Sequence, residues 1–570
     1  MKKYQGILVK KAFSSVIFVQ MLCLLCATIA MFIDSIIIGG FYDSTSLAAY
    51  GLVNPISLVI TLISGIITTG VQVVCGKASA TNNRKKLDGI FSTAIILCFS
   101  ISILFSIICI ANADFSASFL GAPTHEKELH RLTKDYLIGY TMGVPFACGT
   151  LLFSPFLILK NKKKYISISM ITLIILNVVL DLLNVLVFRK GIWGIGFAST
   201  IANAASLIIV LIPIISKAKP YKFSFALVKL SYIKELFSYG NIYGVYKICR
   251  VITPIFLNRI LYSVGGTKAV AVYSVIASVH LIVSCIPSGI GNTSNLLLGC
   301  YMGEKDSKSV NALIKIAIQY SVVVNLIVII VLWIFAPGIS YIFTNDSTMA
   351  VIGLRFYSLS TIVYSINYVV RRYYNTINKK FLSYTVCVLD NMVMIILSAF
   401  VMVQFLGVNG VWLSWIVGES ITLVYLCIYI MIKQRKISLS INDFLLLDKS
   451  FIKVTDNEFS VEITDKDSID RIKDTVEKYI SSYECDNYET VSEITSGTLD
   501  IINKHMTKNK KNKSCIDVRL RNVDSRKWML QIKFYNNYLK ADKLLSYIKD
   551  KVEYEISETL KVNNVTLIVK

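Results

Sequence analysis

Two acidic side chains, Asp34 and Asp181, lie inside long apolar stretches in the first half of the chain. Placing a carboxylate at the centre of a bilayer costs about 2.5 to 3.5 kcal/mol on insertion scales, so such a residue usually has a function. Asn177 precedes Asp181 by about one helical turn, which puts the two side chains on one helix face. Carboxylate and amide oxygens in a dry helix bundle, with a hydroxyl from Thr200, suit a sodium ion or a shared proton. The alternative is that each acid lies near an aqueous interface.

The second half of the chain has basic residues in comparable places. Lys247 and Arg250 are about one helical turn apart in an apolar stretch and could line a cavity that attracts anions. Asp390 and Glu419 are acids of the same half, and we expect them to form ion pairs with bases such as Arg250 rather than to bind a transported ion. A cation site in the second half is therefore not expected.

The elements that must position these residues are membrane-spanning helices. Of the 570 residues, 54% are hydrophobic and 17% are charged, and the apolar residues come in blocks of about 20. We expect an all-α polytopic membrane protein, with two six-helix lobes at residues 1–216 and 217–440, followed by a small soluble α+β domain at residues 441–570. The twelve predicted helices lie near residues 12–39, 52–75, 90–112, 136–159, 166–188, 194–215, 238–263, 269–291, 313–335, 352–375, 382–405 and 410–432.

The formal charge of +23 does not indicate nucleic-acid binding. Residues 1–440 contain 37 Lys and Arg against 14 Asp and Glu, whereas residues 441–570 contain 22 of each class. The excess falls in alternate connections between apolar blocks, where Lys and Arg remain on the cytoplasmic side during insertion. Arg371 and Arg372 are taken as part of one such connection. We expect a multi-pass protein of the cell membrane with both termini in the cytoplasm and no nucleic-acid partner.

The two sets of six helices resemble each other in sequence. A shift of 223 residues places Tyr50 on Tyr273 and Gly76 on Gly299, and N-K-K at residues 161–163 corresponds to N-K-K at residues 378–380. A repeat of six spans in one orientation is typical of transporters, because two similar lobes can rock about a site between them. The alternative is a chance alignment of apolar segments.

The opening of the first half resembles the multidrug and toxic compound extrusion (MATE) transporters. The resemblance rests on F-I-D-S-I-I-I-G-G at residues 32–40 and S-L-A-A-Y-G-L-V-N-P-I at residues 46–56. It continues with N-x-x-x-D at residues 177–181 and G-I-W-G-I-G-F-A-S-T at residues 191–200, and it extends over roughly residues 12–432. One departure is that no proline precedes Pro55, although the family often has a proline within its first helix.

This resemblance implies a secondary exporter of small molecules, typically organic cations, driven by entry of Na⁺ or H⁺. In the family, an aspartate of helix one, an asparagine and an aspartate of helix five and a threonine of helix six bind the coupling cation. The matching residues here are Asp34, Asn177, Asp181 and Thr200, with Ser199 as the alternative to Thr200. We expect no enzymatic activity and no cofactor.

Two other functions stay open. The same superfamily contains flippases of lipid-linked oligosaccharides with cationic cavities, and Lys247 and Arg250 would suit such a substrate or another anion. A membrane protein whose helices merely anchor the C-terminal domain is the third possibility, and it predicts that Asp34 and Asp181 can be neutralised without consequence.

The C-terminal domain weakly resembles the histidine-kinase-type ATPase fold of anti-sigma factors. Its second predicted helix, at residues 488–506, and a last one, near residues 541–560, would pack on strands near residues 460–464, 514–521, 527–534 and 565–569. The stretches E-I-T-S-G at residues 493–497 and F-Y-N-N-Y at residues 534–538 lack the asparagine, aspartate and glycine with which that family binds magnesium and adenine. We expect no ATP binding. We expect instead a regulatory protein partner for this domain, or an unrelated α+β module.

Overall fold

The structure is a computed structural model, and most of it is a bundle of long apolar helices. It describes residues 6–216, 220–343, 347–436, 441–447, 458–463, 469–483, 488–508, 515–524, 527–535, 552–559 and 562–569. The first helix is 35 residues long, about 50 Å at 1.5 Å per residue, and therefore exceeds the thickness of a bilayer core.

The first six crossings, which we call the first lobe, are formed by helices joined through short polar connections. Asp43 caps the second helix by accepting a hydrogen bond from the Ser46 backbone at 3.1 Å, and Asn83 caps the third by accepting one from Lys86 at 2.9 Å. The helices are α1 (Ile7–Phe41), α2 (Ser44–Ala80), α3 (Arg84–Ala111), α4 (Ala113–Phe119), α5 (Lys127–Thr141), α6 (Val144–Leu159), α7 (Lys163–Leu183) and α8 (Gly191–Ile215).

The second lobe repeats this arrangement. Its helices are α9 (Leu230–Val283), α10 (Cys285–Gly303), α11 (Ser307–Phe343), α12 (Ser347–Thr376), α13 (Lys380–Val388), α14 (Met394–Leu406) and α15 (Val408–Gln434). Helix α9 bends at Gly266, where φ is 60° and ψ is −156°, a conformation open to glycine. Eleven helical stretches among the described residues are apolar and long enough to cross a membrane, and the 74-residue stretch Leu230–Gly303 holds two crossings, which confirms twelve.

A π-helical segment interrupts the fifth crossing of each lobe. In the first lobe it covers Asn184–Phe188 and begins three residues after Asp181. In the second lobe it covers Leu389–Val393 and includes Asp390. Single π-helical turns inside α-helices are frequent at functional sites. The two segments lie at different depths, because the first begins 21 residues after the crossing starts at Lys163 and the second begins 9 residues after the crossing starts at Lys380.

The lobes meet along a seam between α2 and α10. At this seam, Gly76 is so close to the other helix that a Cβ atom there would lie 2.9 Å from the Gly299 Cα atom. Gly303 packs against the Lys77 backbone in the same way, and Asn295 donates a hydrogen bond to Gln72 at 3.0 Å. These contacts lie toward the side of the bundle where α1 begins and where the C-terminal domain packs, which we call the tail side. The opposite side is the far side.

The C-terminal domain is a five-stranded antiparallel sheet with two helices on one face. The strand order is β1-β2-β3-β5-β4. The elements are β1 (Glu458–Ile463), β2 (Ile516–Asp524), β3 (Lys527–Tyr535), β4 (Glu553–Thr559) and β5 (Val562–Val569), with helices α16 (Ile441–Phe444) before the sheet and α17 (Ile469–Ser481) and α18 (Tyr488–Lys508) on it.

The prediction of a last helix near residues 541–560 is wrong for the part that the structure describes. Residues 553–559, E-Y-E-I-S-E-T, form the edge strand β4, which pairs with β5 from Glu553–Ile568 to Thr559–Val562. Polar and apolar residues alternate over residues 553–557, which is the period of a strand. The earlier part of that prediction, residues 541–551, lies outside the described residues.

Candidate ion and substrate sites

The two acids of the first lobe are both buried, in the half of the bundle toward the far side. Asp34 is 27 residues into α1, about 40 Å along the helix axis from its tail-side end. Asp181 is near the end of α7, which also starts on the tail side. The exposed fraction is 4% for Asp34, 2% for Asn177 and 0% for Asp181. Neither acid therefore lies at an aqueous surface of this structure.

A serine of α8 links the Asp34 carboxylate to the Asn177 amide. The Ser199 hydroxyl of α8 donates to Asp34 Oδ2 at 3.3 Å, and the Asn177 amide donates to the same hydroxyl at 3.1 Å. The Asp181 side chain faces that of Asp34 at interaction distance. The structure thus brings together Asp34 of α1, Asn177 and Asp181 of α7 and Ser199 of α8. Of these contacts, the spacing in the sequence predicted the shared helix face of Asn177 and Asp181.

Four oxygen atoms of this cluster have no hydrogen-bond donor among the described residues. They are Asp34 Oδ1, Asn177 Oδ1 and both carboxylate oxygens of Asp181. A buried carboxylate without a donor is costly, and two that face each other also repel. A proton or a small cation between them would remove both costs, because it supplies the missing positive partner.

Thr200 does not face this cluster. Its hydroxyl donates to the Gly139 carbonyl at 2.7 Å, which ties α8 to α5. The neighbouring Ser199 takes the position beside Asp34 that we predicted for Thr200. The geometry favours Ser199, the alternative that the sequence left open, because adjacent residues on a helix point about 100° apart.

Tyrosine rings border the cluster toward α5. The Tyr50 ring lies 5.4 Å from that of Tyr136, which stacks at 5.7 Å on Tyr140. The Tyr50 hydroxyl donates to the Met31 carbonyl at 2.7 Å, three residues before Asp34. These rings shield the acids from lipid and keep the site in a medium of low polarity, where charge interactions are stronger than in water.

The second lobe has a polar cavity in its interior. It is lined by Arg250, Asp390, Glu419 and His280, together with aromatic side chains. His280 shares a hydrogen bond of 2.7 Å between its Nδ1 atom and the Tyr357 hydroxyl. The cavity volume is about 30 Å³, which is room for one or two water molecules. In this conformation it is too small for an organic substrate.

The acids of this cavity are not paired as predicted. Asp390 lies 3.9 Å from Arg371 Nη1 and accepts a hydrogen bond from Asn367 at 2.7 Å, so its base is neither Lys247 nor Arg250. Glu419 has one carboxylate oxygen without a donor among the described residues. The predicted ion-pair partners of Asp390 were wrong, whereas its pairing with a base of the same lobe was right.

The predicted location of Arg371 was also wrong. Together with Arg372 it was assigned to a connection, but both belong to α12 and are 1% and 2% exposed. Arg371 stacks over the Tyr368 ring at 4.2 Å, and Arg372 donates to Thr69 of the first lobe at 3.0 Å. Reasoning from sequence missed these buried arginines, and it missed His280. Closely spaced tyrosines before the arginine pair were the available signal, since guanidinium groups stack on aromatic rings.

Lys247 lies where the two lobes meet. Its ammonium group is 5.5 Å from the centre of the Tyr243 ring, and that ring packs directly on Gly65 of α2. Arg250, in contrast, faces the internal cavity of the second lobe. Lys247 and Arg250, which we expected to line one cavity, therefore lie in different parts of the second lobe.

The chain is similar to characterised transporters over its helical part. The sequence pattern of the MatE family matches residues 20–183 and again residues 246–401, more than half of the chain. The "Probable multidrug resistance protein NorM" of Photorhabdus laumondii is 24% identical over 342 residues, 58% of this chain and 73% of that protein. A mutant of the Vibrio cholerae MATE transporter VcmN superposes with a TM-score of 0.69 at 17% identity, covering 76% of this chain and 99% of that one.

A second solved structure shares this fold. It is a MOP superfamily transporter from Pyrococcus furiosus for which a binding pocket of reverse polarity suggests a different function. It superposes with a TM-score of 0.67 at 18% identity and covers 75% of this chain and 97% of that one. At this identity, the likeness concerns the fold alone.

Proposed function

The chain belongs to the MatE family of multidrug efflux transporters, and we propose that it is a secondary exporter in which entry of Na⁺ or H⁺ drives the export of organic cations. The cluster of Asp34, Asn177, Asp181 and Ser199 binds the driving ion. The substrate binds between the lobes, and the lobes rock to expose it to either side of the membrane.

The observation that carries this proposal is the set of four buried oxygen atoms without a donor. Asp34 and Asp181 repel each other if both are ionised, and two like unit charges about 4 Å apart repel by about 4 kcal/mol at an effective dielectric constant of 20. A proton shared between the two carboxyl groups removes that repulsion. A sodium ion does the same and accepts oxygen ligands from Asn177 and Ser199 as well.

The direction of transport follows from the arrangement of the lobes in the membrane. The excess of Lys and Arg in tail-side connections supports a cytoplasmic tail side, with both termini in the cytoplasm of a cell whose plasma membrane holds the protein. The seam at Gly76 and Gly299 closes that side. We propose on this basis that the structure is the outward-facing state, in which the far-side ion cluster takes up its ion from outside. Binding shifts the lobe equilibrium by the difference in ion affinity between the two states.

The test is efflux of a fluorescent organic cation from proteoliposomes under imposed sodium or proton gradients. We expect gradient-driven efflux by the wild type and its loss in Asp34→Asn and in Asp181→Asn, since asparagine keeps the shape and removes the charge. The matched control is Asp114→Asn, an exposed acid of the first lobe that pairs with Lys134 at 2.7 Å. Efflux by the two cluster variants at the wild-type rate would refute the ion site.

A second candidate substrate class is supported by Lys247. A partly buried cation at the lobe interface repels a cationic substrate and attracts an anion or the phosphate of a lipid-linked oligosaccharide. The comparison is uptake of a fluorescent anion by the same proteoliposomes. Anion transport that Lys247→Gln abolishes, with no organic-cation efflux by the wild type, would select the flippase or anion exporter instead.

A further inference from the structure

Buried ion pairs join the C-terminal domain to the second lobe. They meet at the short connection between α10 and α11, where Arg519 Nη1 lies 2.5 Å from Asp306 Oδ2. Lys533 Nζ lies 3.0 Å from the same carboxylate and 2.5 Å from Glu304 Oε2. The exposed fractions are 2% for Arg519, 4% for Lys533 and 1% for Asp306. Exposed pairs contribute little to stability, but these are desolvated, and removing one partner leaves a buried charge uncompensated.

The charges lie on the sheet face opposite α17 and α18, which carries no helix among the described residues. Along β2, Val518 and Leu520 point toward α17 and α18, whereas Asp517 and Arg519 alternate onto the opposite face. Arg519 also donates to Asp517 at 2.7 Å and to Ser309 of α11 at 3.0 Å. A row of charges on an open sheet face is ordinary in water. Here the row is buried because the lobe covers it.

The same sheet reaches the first lobe. The Glu462 carboxylate of β1 accepts hydrogen bonds from the backbone N–H groups of Ile7 at 2.8 Å and of Gly6 at 3.2 Å. These N–H groups have no partner inside α1, since the first four of any α-helix lack one. At the other edge of the sheet, Ile556 of β4 borders a cavity with Ser79 and Lys160 of the first lobe. The sheet therefore spans both lobes on the tail side.

These contacts lie next to the seam. Asp306 follows Gly303 by three residues, and Gly303 packs on the Lys77 backbone of α2. Opening the transporter on the tail side separates α2 from α10, and it moves the α10–α11 connection away from the beginning of α1. The sheet cannot hold both of these points through that movement.

We propose that the C-terminal domain is a clamp: it bridges the two lobes on the tail side, holds the seam closed and must release one lobe before the transporter opens there. This role rests on the proposed function, because a clamp regulates transport only if the lobes rock. It gives the domain a task that requires neither ATP nor a catalytic residue. It also makes the closed state depend on charges that lie more than 200 residues from the seam in the chain.

Two native cysteines report on the seam. Cys75 precedes Gly76 and is 0% exposed, and Cys300 follows Gly299 and is 3% exposed. Cys98 is equally buried inside the first lobe and away from the contact between lobes, so it serves as an internal reference. The experiment is alkylation of the purified full-length protein with a maleimide, followed by mass spectrometry of the modified peptides over time.

We expect Arg519→Ala to raise the alkylation rates of Cys75 and Cys300 by at least about tenfold and to leave Cys98 unchanged. The matched control is Lys473→Ala, which removes a base that pairs with Asp500 at 2.5 Å within the C-terminal domain. It should leave all three rates as in the wild type. Unchanged rates for Cys75 and Cys300 in a folded Arg519→Ala protein would overturn the clamp.

A charge reversal covers the case in which Arg519→Ala does not fold. Glu304→Lys should raise the alkylation rates of Cys75 and Cys300, because it sets two positive charges against each other. Seam alkylation in Glu304→Lys at the wild-type rates would contradict the clamp. The readout needs neither substrate nor ion, so a protein that exports nothing can still show the clamp, and failure of the proposed function is seen separately as absent efflux.

Discussion

Replacing Gly76 by alanine should wedge the seam apart. A Cβ atom there would lie 2.9 Å from the Gly299 Cα atom and 2.9 Å from the Leu296 carbonyl oxygen, both of them backbone atoms that cannot rotate away. Carbon contacts are favourable at about 3.5 to 4.0 Å, so the helices must separate by roughly 0.6 to 1 Å or strain. Overpacking of this kind costs about 1 to 3 kcal/mol. The higher helix propensity of alanine acts in the open and closed states alike and cancels between them.

The closed state of Gly76→Ala should therefore lose about 1 to 3 kcal/mol relative to the open one, which raises the open fraction roughly 5- to 150-fold. Alkylation of Cys300 measures that fraction, with Cys98 as the reference. Gly51→Ala is the matched control, since Gly51 belongs to the same helix and a Cβ atom there meets nothing within 4 Å. That variant should keep the wild-type Cys300 rate.

Two results would refute the reasoning. If Cys300 in Gly76→Ala reacts within twofold of its wild-type rate, the α2–α10 contact is not what closes the tail side. If Gly51→Ala raises the Cys300 rate as much as Gly76→Ala does, the effect comes from helix propensity and not from the contact.

Three further outcomes are expected. Ser199→Ala should weaken binding of the driving ion roughly 10- to 150-fold, since hydrogen bonds to charged groups contribute about 1.5 to 3 kcal/mol. Thr200→Ser should leave sodium or proton affinity unchanged in isothermal titration. Arg371→Ala should lower stability by about 3 to 5 kcal/mol in thermal unfolding, because it leaves a buried carboxylate unpaired. The C-terminal domain should stay docked on the second lobe between about pH 5 and 9, as monitored by hydrogen exchange at residues 304–306. Loss of this docking within that range would contradict the burial of its ion pairs.

That pH range follows from the signs of two shifts. Burial alone would raise the pKa of the Asp306 carboxyl, but the charges of Arg519 and Lys533 outweigh it and hold that pKa well below its usual range. Its contribution is present above the ordinary aspartate pKa and is lost as pH falls through the lowered value. Burial alone would lower the pKa of Lys533, but Asp306 and Glu304 outweigh it and raise that pKa. Its contribution is present below the ordinary lysine pKa and is lost as pH rises through the raised value.

The sequence was sufficient for the class, for the crossings and for three residues of the ion cluster. Apolar blocks reveal spans because the bilayer requires about 20 apolar residues for each. Asp34 and Asp181 can each be identified without knowledge of their spatial neighbours, since a carboxylate within an apolar block is costly in any fold. Their proximity is a tertiary fact, and only the spacing of Asn177 and Asp181 pointed to a shared helix face.

The misplaced residues share a physical cause, which is that their partners are distant in the chain. Arg371 ends an apolar block and therefore looks like part of a connection, but Asp390 and the Tyr368 ring stabilise it inside the lobe. The choice between Ser199 and Thr200 depends on the rotation of α8 about its axis, which packing against Gly139 decides. Residues 553–559 could have been recognised as a strand by their period of two, without any knowledge of the fold.

The hydrogen bonds of Glu462 to the start of α1 set an order on the making of this protein. Ile7 and Glu462 are 455 residues apart, and a ribosome that adds about 5 to 20 residues per second needs on the order of 20 to 90 seconds to travel that distance. The first turn of α1 is therefore synthesised long before its partner exists. Its N–H groups remain without Glu462 until β1 has been made, so α1 is complete in its hydrogen bonding only after both lobes have been synthesised.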